Sequence, residues 1–493
     1  MRILMVYPEF PDTFWSFKYA LHFIRKKASF PPLGLLTVAA LLPKEWEKRL
    51  VDMNVTQLTQ KDLEWADYVF ISAMVVQRES VRQVLKRCKE AGVKVVAGGP
   101  LFLAEHEDFP DVDHFVLNEA EITLPLFLSD LERGEPKRLY TTTEFANMEQ
   151  SPLPLWELVD MRHYSSMCIQ YSRGCPFACE FCNITAMLGR RFRTKTAAQV
   201  IAELDTLYNL GWRHGVFFVD DNFIGNKRKL KAEILPAIIA WRKGKRGMSF
   251  QTEASIDLAD DPELMQMMVE AGFDTVFVGI ETPDEQGLAE CNKAQNKGRD
   301  LIACVKAMQR AGLEVQGGFI VGFDSDTPSI FQRQIEFIQR SGIVTAMVGL
   351  LQAPYGTKLY ERLKREGRLL AKSSGNNTDN TINFLPKMDL KVLQEGYRQI
   401  LAHIYSPRGY YERVRTFLRE YRRPRISYPP LTWDYLAAFF RSIVVLGLRG
   451  KERLEYWKLF FWTLFRRPRL FPVAITLAIY GFHFRRVCER YVL

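Results

Sequence analysis

At 493 residues the chain is long enough for about three domains, and its 47% hydrophobic content is that of a globular protein with several cores. No run reaches the roughly 18 to 20 uncharged apolar residues of a membrane-spanning helix, which excludes a helical integral membrane protein. The net charge of +10 is unevenly placed: from Arg413 onward there are 17 Lys and Arg against 5 Asp and Glu, so the basic character belongs to the C-terminal tail alone.

In chain order, residues 2–8 form an apolar run closed by Pro8, as a buried parallel strand would be. Further short strands are expected at 50–54, 68–72, 93–97 and 114–117, with helices over 33–42 and 79–90 between them. Strands alternating with helices imply an α/β, doubly wound, Rossmann-like sheet over residues 1–145, with its ligand site at the carboxyl ends of the strands. Gly98 and Gly99 lie at such an end, where absent side chains would let a ligand approach the backbone, although most Gly-Gly pairs are only turns. A polar, proline-bearing linker follows over 141–155.

Residues 146–370 carry six strand-like runs, 167–172, 215–219, 249–255, 275–281, 314–321 and 345–351, with helical segments between them. Six such units imply a partial (β/α)6 TIM-like barrel, whose chemistry gathers at the carboxyl ends of the strands. Cys175, Cys179 and Cys182 follow the first strand; Asp220, Asp221 and Asn222 end the second; Thr252 and Glu253 lie on the third; Glu281 ends the fourth; Gly317, Gly318 and Gly322 flank the fifth. The Cys-x3-Cys-x2-Cys spacing suits three irons of a 4Fe–4S cluster, leaving the fourth iron open to a small molecule. A structural zinc site would need a fourth ligand, and the other cysteines are scattered.

This cysteine loop, with Phe181 just before the third cysteine, resembles the signature of the radical S-adenosylmethionine (radical SAM) superfamily. The resemblance implies that the open iron chelates the amino and carboxylate groups of SAM. Asp220 or Asp221 would then accept from the SAM amino group, with Glu253 a further contact. Glu281 would accept from the ribose hydroxyls, and glycines at 318 and 322 would let the backbone approach the adenosyl moiety. Bland alternatives stand beside these: the Asp-Asp-Asn run capping a helix, Glu281 as a solvated loop carboxylate, Gly317-Gly318 relieving packing. Residues 30–36, the Gly-Gly-Pro turn and 118–121 resemble the cobalamin-binding domain that precedes many radical SAM barrels. That implies cobalamin contacts from Ala73, Met74, Gln77, Gly98, Gly99 and Glu119. The Asp-x-His-x-x-Gly motif is missing, since the nearest histidine, His22, is followed by Lys26 rather than Gly; the cofactor's lower face is left to nearby side chains. Segments 217–226, 252–255 and 318–326 resemble a narrower subfamily that includes the hopanoid C-2 methylase, with Tyr355 standing where a second Pro is common.

Residues 371–493 are expected to be mainly helical. A polar loop at 373–380 precedes helical periodicity at 390–405 and 410–421, an arginine cluster at 422–425 and an aromatic, basic tail. The last apolar run, 470–484, would extend roughly 22 Å as a helix, short of a bilayer core. Arginines beside aromatics suit an interfacial membrane element, or a helical cap on the barrel with Arg on its wet face. Nucleic acid is not expected, for lack of an RNA-binding module.

The whole implies a cobalamin-dependent radical SAM C-methyltransferase acting on an unactivated carbon of a small-molecule or lipid substrate. It would work through a 5′-deoxyadenosyl radical and methylcobalamin, with an external one-electron reductant of flavodoxin or ferredoxin type. A non-methylating cyclisation, rearrangement or oxidation would use the same motifs. Reduced cysteines, an oxygen-sensitive cluster and no export signal lead to an expectation of the cytoplasm, with peripheral contact at the inner membrane face through the tail. No residue is singled out as a catalytic acid or base.

Overall fold

The computed structural model describes residues 1–376, 378–424 and 433–493. Asn377 of the expected polar loop and Arg425 of the arginine cluster lie outside the described residues. The chain opens with six strands, β1 (Arg2–Tyr7), β2 (Glu47–Asp52), β3 (Tyr68–Ser72), β4 (Lys94–Gly98), β5 (His114–Val116) and β6 (Leu139–Tyr140). They form one parallel sheet in the order β2-β1-β3-β4-β5-β6. Ile3 and Met5 face a core with Leu35, Ala39 and Phe127, while Leu4 and Val6 face another with Val81, Val84 and Leu85. Burial on both faces explains why β1 reads as a continuous apolar run. β2 starts at Glu47, earlier than its apolar residues suggest, because pairing along the full length of β1 draws Glu47, Lys48 and Arg49 into the edge ladder. β6 is too short to leave a pattern in the sequence. The strand order reverses at β1, so the sheet's ligand crevice opens at the carboxyl ends of β1 and β3.

Eight strands follow: β7 (Ser166–Ile169), β8 (Ser172–Arg173), β9 (Arg193–Thr194), β10 (Gly215–Phe218), β11 (Phe250–Glu253), β12 (Phe273–Glu281), β13 (Glu314–Val321) and β14 (Ala346–Leu350). Six of them make a parallel sheet in the order β14-β13-β12-β11-β10-β7, a partial barrel open between its first and last strands. The expected first strand is split. The chain leaves the sheet after Ile169 and forms an antiparallel β8–β9 hairpin that flanks the cysteines. Burial alternates along β10, β11 and β13, and the fully buried residues are those facing the outer helices. Phe217, Gln251, Glu253, Thr275, Phe277 and Gln316, which face the interior, are only half-buried and line open space. A filled TIM barrel packs such residues against one another. This barrel is hollow.

Helices Leu390–Ile404, Pro407–Glu420, Trp433–Ser442, Arg453–Arg466 and Phe471–Tyr491 form the C-terminal domain, which shares one continuous core with the barrel. Arg413 is fully buried and donates to Gln339 Oε1 (2.6 Å) and to the carbonyls of Ile404 (2.8 Å) and Val344 (3.1 Å), riveting this domain to the barrel. The run 470–484 therefore belongs to a cap: Ala474, Leu477, Ala478 and Phe484 are buried within the Phe471–Tyr491 helix. Among the described residues no helix is long and apolar enough to cross a membrane. The segment between β1 and Leu33 joins all three regions. Phe14 packs on Phe484 (5.7 Å), Trp15 on Phe277 (5.1 Å) and Phe30 on Phe217 (5.2 Å), the last two inside the lumen.

Candidate active site

The cysteine loop leaves β8 through Gly174, whose φ is +88° and whose added Cβ would lie 2.6 Å from the Arg191 carbonyl, so only glycine fits. The loop is fixed from several sides. Cys175 N donates to Gly189 O (3.3 Å), Glu180 N to Cys291 O (2.9 Å), Asn292 Nδ2 to Ala178 O (3.0 Å), and Arg362 Nε to the Glu180 carboxylate (2.7 Å). All three thiols are half-buried. Burial pushes the Cys182 thiol up to about 12 and also raises Cys175, and in each the charge of a neighbouring cysteine adds to the effect. Three thiolates held this close in a desolvated loop need a cationic centre, and a 4Fe–4S core supplies one. Among the described residues no group of three or more His, Cys, Asp or Glu side chains is placed to ligate a single metal ion.

Beside the loop lie the carboxylates from the strand ends. The structure gives Asp220 a different task from the expected one. It is fully buried and accepts from Tyr171 N (3.2 Å) and from both the backbone and the hydroxyl of Ser172, so it holds the hairpin rather than facing a ligand. Among the described residues no side chain donates to the carboxylate of Asp221, which takes its own backbone N–H, or to that of Glu253. Burial lifts Asp221 to about 6; burial and the charges of Asp221 and Asp220 lift Glu253 to about 8. Such carboxyls, only partly offset by the charges of Arg173 and Lys293, suit the cationic end of SAM. Glu281 sits at φ +65° at an irregularity of the β12–β13 register and pairs with Lys293 Nζ (2.6 Å). Gly279 and Gly318 are register partners, and a Cβ on Gly279 would meet Glu281 Oε1 and lie 2.7 Å from Lys293 Nζ. The space beside these two glycines is taken by the Glu281–Lys293 pair and by the ring of Phe277, which lies 3.1 Å from where a Cβ on Gly318 would sit. Gly322 is occupied otherwise: with Phe323 it donates its N–H to Asp326, forming the turn after β13.

On the first sheet, Gln77 is buried and spent on the fold, donating to Pro8 O (2.5 Å) and accepting from Met74 N (2.8 Å). It shapes the crevice between the loops after β1 and β3 instead of reaching into it. Ala73 is buried, and Met74 is 48% exposed. Gly99 (φ +91°) lets the chain pass close to β3, since a Cβ there would lie 2.7 Å from Ser72 Oγ; a Cβ on Gly98 would lie 2.7 Å from Val116 O. Glu119 is also committed elsewhere. It accepts from Arg173 Nη1 (2.8 Å) and Arg193 Nη1 (2.8 Å), and Glu121 accepts from Arg173 at 3.0 and 2.8 Å. The carboxyl edge of the first sheet is thereby bolted to the hairpin that carries the cysteines. The loops after β1 and β3, with Met74 exposed, are the parts of this edge that would hold a corrinoid.

The sequence reading missed Lys293, which feels the charges of Cys179 and Cys182, and Gln295, whose Nε2 lies 3.9 Å from Cys179 Sγ. They come from an irregular stretch after β12 that carries no motif. Arg173 was findable, as a lone cation immediately before Gly174-Cys175. The interior residues Gln251, Thr275 and Gln316 were also findable, as polar residues at alternate positions of the expected strands.

Comparison with known proteins agrees with this geometry. Family profiles match at residues 24–128 (B12 binding domain), 169–338 (radical SAM superfamily) and 357–492 (domain of unknown function, DUF4070). The chain is 42% identical to an uncharacterized methyltransferase of Synechocystis sp. over 99% of this chain and 92% of that protein. It is 35% identical to the hopanoid C-2 methylase of Rhodopseudomonas palustris over 93% of this chain and 88% of that protein. Among solved structures, the cobalamin-dependent S-adenosylmethionine radical enzyme OxsB with aqua-cobalamin and S-adenosylmethionine bound superposes with a TM-score of 0.62 at 14% identity, covering 99% of this chain and 79% of that one. The radical SAM methyltransferase TsrM from Kitasatospora setae gives 0.57 at 16%, covering 74% and 76%.

Proposed function

The chain belongs to the cobalamin-binding radical SAM enzymes, and we propose that within this family it methylates an unactivated carbon of an apolar, lipid-type substrate held inside the barrel. It takes a 4Fe–4S cluster, SAM and cobalamin, acts on a small-molecule or lipid substrate and needs a reductant, which we take to be of flavodoxin or ferredoxin type. The observation that carries the substrate reading is the hollow interior: a cavity of about 700 Å³ runs up from the start of the barrel strands to Glu253, walled largely by Phe, Leu and Ile side chains.

When bound, the cluster with SAM supplies one-electron radical generation and the corrinoid supplies a transferable methyl group, which together reach a carbon that ordinary nucleophilic methyl transfer cannot. The protein's own part is positional. Cys175, Cys179 and Cys182 hold the cluster; Asp221 and Glu253 receive the cationic end of SAM; Lys293 balances Glu281 and the thiolates. The glycines at 279 and 318 make room for the Glu281–Lys293 pair and for the ring of Phe277. The Glu119–Arg173 and Glu121–Arg173 pairs fix the spacing between the corrinoid crevice and the cluster loop. Trp15, Phe30, Phe217 and Phe277 keep the reacting region apolar and poor in water.

The substrate's source is a lipid surface. The Trp433–Ser442 helix lines the cavity with Tyr435, Leu436 and Phe439 on one face. On the outside it and its continuation carry Phe440 (63% exposed), Val444 and Leu448, beside Leu454 (70%) and Phe465 (76%) of the next helix. Arg449, Lys451 and Arg466 are exposed near this apolar face, an arrangement suited to anionic headgroups. Changing Phe440, Leu448 and Phe465 together to Ser should abolish pelleting with anionic liposomes, and equal pelleting of both proteins refutes the surface.

The main test is anaerobic turnover of the reconstituted enzyme with methyl-labelled SAM and a lipid extract. Labelled lipid, with 5′-deoxyadenosine and S-adenosylhomocysteine in equal amounts, is expected. Formation of 5′-deoxyadenosine with neither S-adenosylhomocysteine nor labelled product refutes methylation and favours a cyclisation, rearrangement or oxidation.

A further inference from the structure

The hollow part of the barrel has an uneven wall. Above, it is aromatic. At its lower end, where the strands begin, two carboxylates enter it, Asp274 near the start of β12 and Glu314, the first residue of β13. The register sets Thr275, the neighbour of Asp274, opposite Glu314, and both acids line the cavity at this end. Asp274 accepts from Thr275 Oγ1 (2.9 Å) and from Ser249, and Glu314 accepts from Gln316, but Glu314 Oε1 is buried with no hydrogen-bond partner. Tyr480, from the closing helix, lines the same space and feels both charges. Burial lifts Asp274 to about 6, and burial with the charge of Asp274 lifts Glu314 to about 7. A pair that shares a proton can both donate to and accept from a hydroxyl group. A buried acceptor without a donor is costly, and a ligand hydroxyl supplies the missing donor.

We propose that the lower barrel is a substrate chamber with a polar floor, in which an elongated apolar molecule lies along the interior with a hydroxyl-bearing end on Asp274 and Glu314 and its reacting end near Glu253, at the level of Gly279 and Gly318. From Asp274 to Gly279 the strand rises about 17 Å, the span of a polycyclic lipid skeleton rather than of an amino acid or a sugar. The C-terminal helices wall this lower end through Leu436, Phe439, Ile475 and Tyr480, and the cluster loop lies at the other end of the strands. Substrate thus lies below the reaction while SAM and the corrinoid occupy the carboxyl ends of the strands. The assignment deepens the methylation reading and rests on it for the event at the upper end, but binding in the chamber is independent of it.

The test is equilibrium binding to the full-length reconstituted enzyme of two radiolabelled probes: a pentacyclic triterpene hydrocarbon and the same skeleton with a hydroxylated side chain, both delivered from cyclodextrin. The wild type should bind the hydroxylated probe about tenfold more tightly than the hydrocarbon. Glu314→Leu should bring the two affinities together, and Thr275→Trp, which fills the interior, should lose both. Iron content and circular dichroism report that each variant is folded. Unchanged binding by Thr275→Trp, or no binding of either probe by the wild type, overturns the chamber. A preference retained in Glu314→Leu overturns the polar floor. A wild type that binds the hydroxylated probe but yields no methylated product overturns the methylation reading and leaves the chamber standing.

Discussion

Glu119→Ala is expected to loosen the grip of the first domain on the cluster loop, and the structure sets the size of the effect. Glu119 is shared between two guanidinium groups, those of Arg173 and Arg193, whose side chains are only 12% and 10% exposed. Arg173 retains Glu121 at 2.8 Å when Glu119 is removed, but Arg193 is left with only the carbonyls of Ala146 (2.7 Å) and Leu188 (3.0 Å). The cost is therefore that of one buried cation without a counter-charge, about 3–5 kcal/mol, with the lower end expected because a tenth of the side chain still meets water. Adding Arg193→Met removes the stranded cation and should recover about 2 kcal/mol, the coupling a double-mutant cycle measures for contacting charges. Three packed regions will not unfold in a single step, so the assay is local: loss of cluster absorbance in increasing urea. Glu119→Ala should lose its cluster at clearly lower urea than wild type, and the double variant should fall between them. A single variant that holds its cluster as long as wild type would refute the bolt between the domains.

Further outcomes follow from the same geometry. Cys175→Ala, Cys179→Ala and Cys182→Ala together should abolish iron–sulfur absorbance after reconstitution while the far-ultraviolet circular dichroism is kept. Glu253, raised to about 8 from its ordinary 4.5, holds a proton in the folded protein that the unfolded chain has lost, so without SAM its contribution to stability falls as pH rises from about 4.5 through 8. Glu253→Gln should flatten that fall and stabilise the SAM-free protein at pH 8 by about 3–5 kcal/mol, read from thermal midpoints across pH. Gly279→Ala forces Glu281 and Lys293 apart. It should cut 5′-deoxyadenosine release under dithionite by about tenfold at normal iron content, and full activity would contradict the role given to the Glu281–Lys293 pair. In Gly481→Ala the new methyl collides with the buried ring of Tyr410, whose hydroxyl donates to Leu477 O (2.6 Å), and overpacking of this kind costs about 1–3 kcal/mol in thermal or urea denaturation.

Much of the chemistry was legible because it is local. Three thiols within one short loop make a cluster site whatever surrounds them, and alternating strands and helices imply parallel sheets because each strand hides both faces. The individual ligand contacts were not legible in the same way. Asp220, Gln77 and Glu119 are of the right residue type in the right loops, yet each is consumed by backbone or ion-pair partners from segments distant in sequence. A carboxylate beside a motif looks the same in sequence whether it faces a ligand or a buried arginine. The C-terminal tail shows the same limit: its apolar run 470–484 could coat a membrane or a barrel, and packing against Tyr410 and Phe14 is what makes it a cap.

A three-thiol loop after the first strand of a partial barrel, and a doubly wound domain before it, are readable in the chain alone, since spacing and periodicity are properties of neighbouring residues. Folding in three dimensions is what makes the barrel hollow, brings Trp15 and Phe30 into it from the first domain, and sets Asp274 and Glu314 along its floor. Those facts depend on which side chains fail to touch across the interior, and that is a property of strand register and closure that no single segment carries.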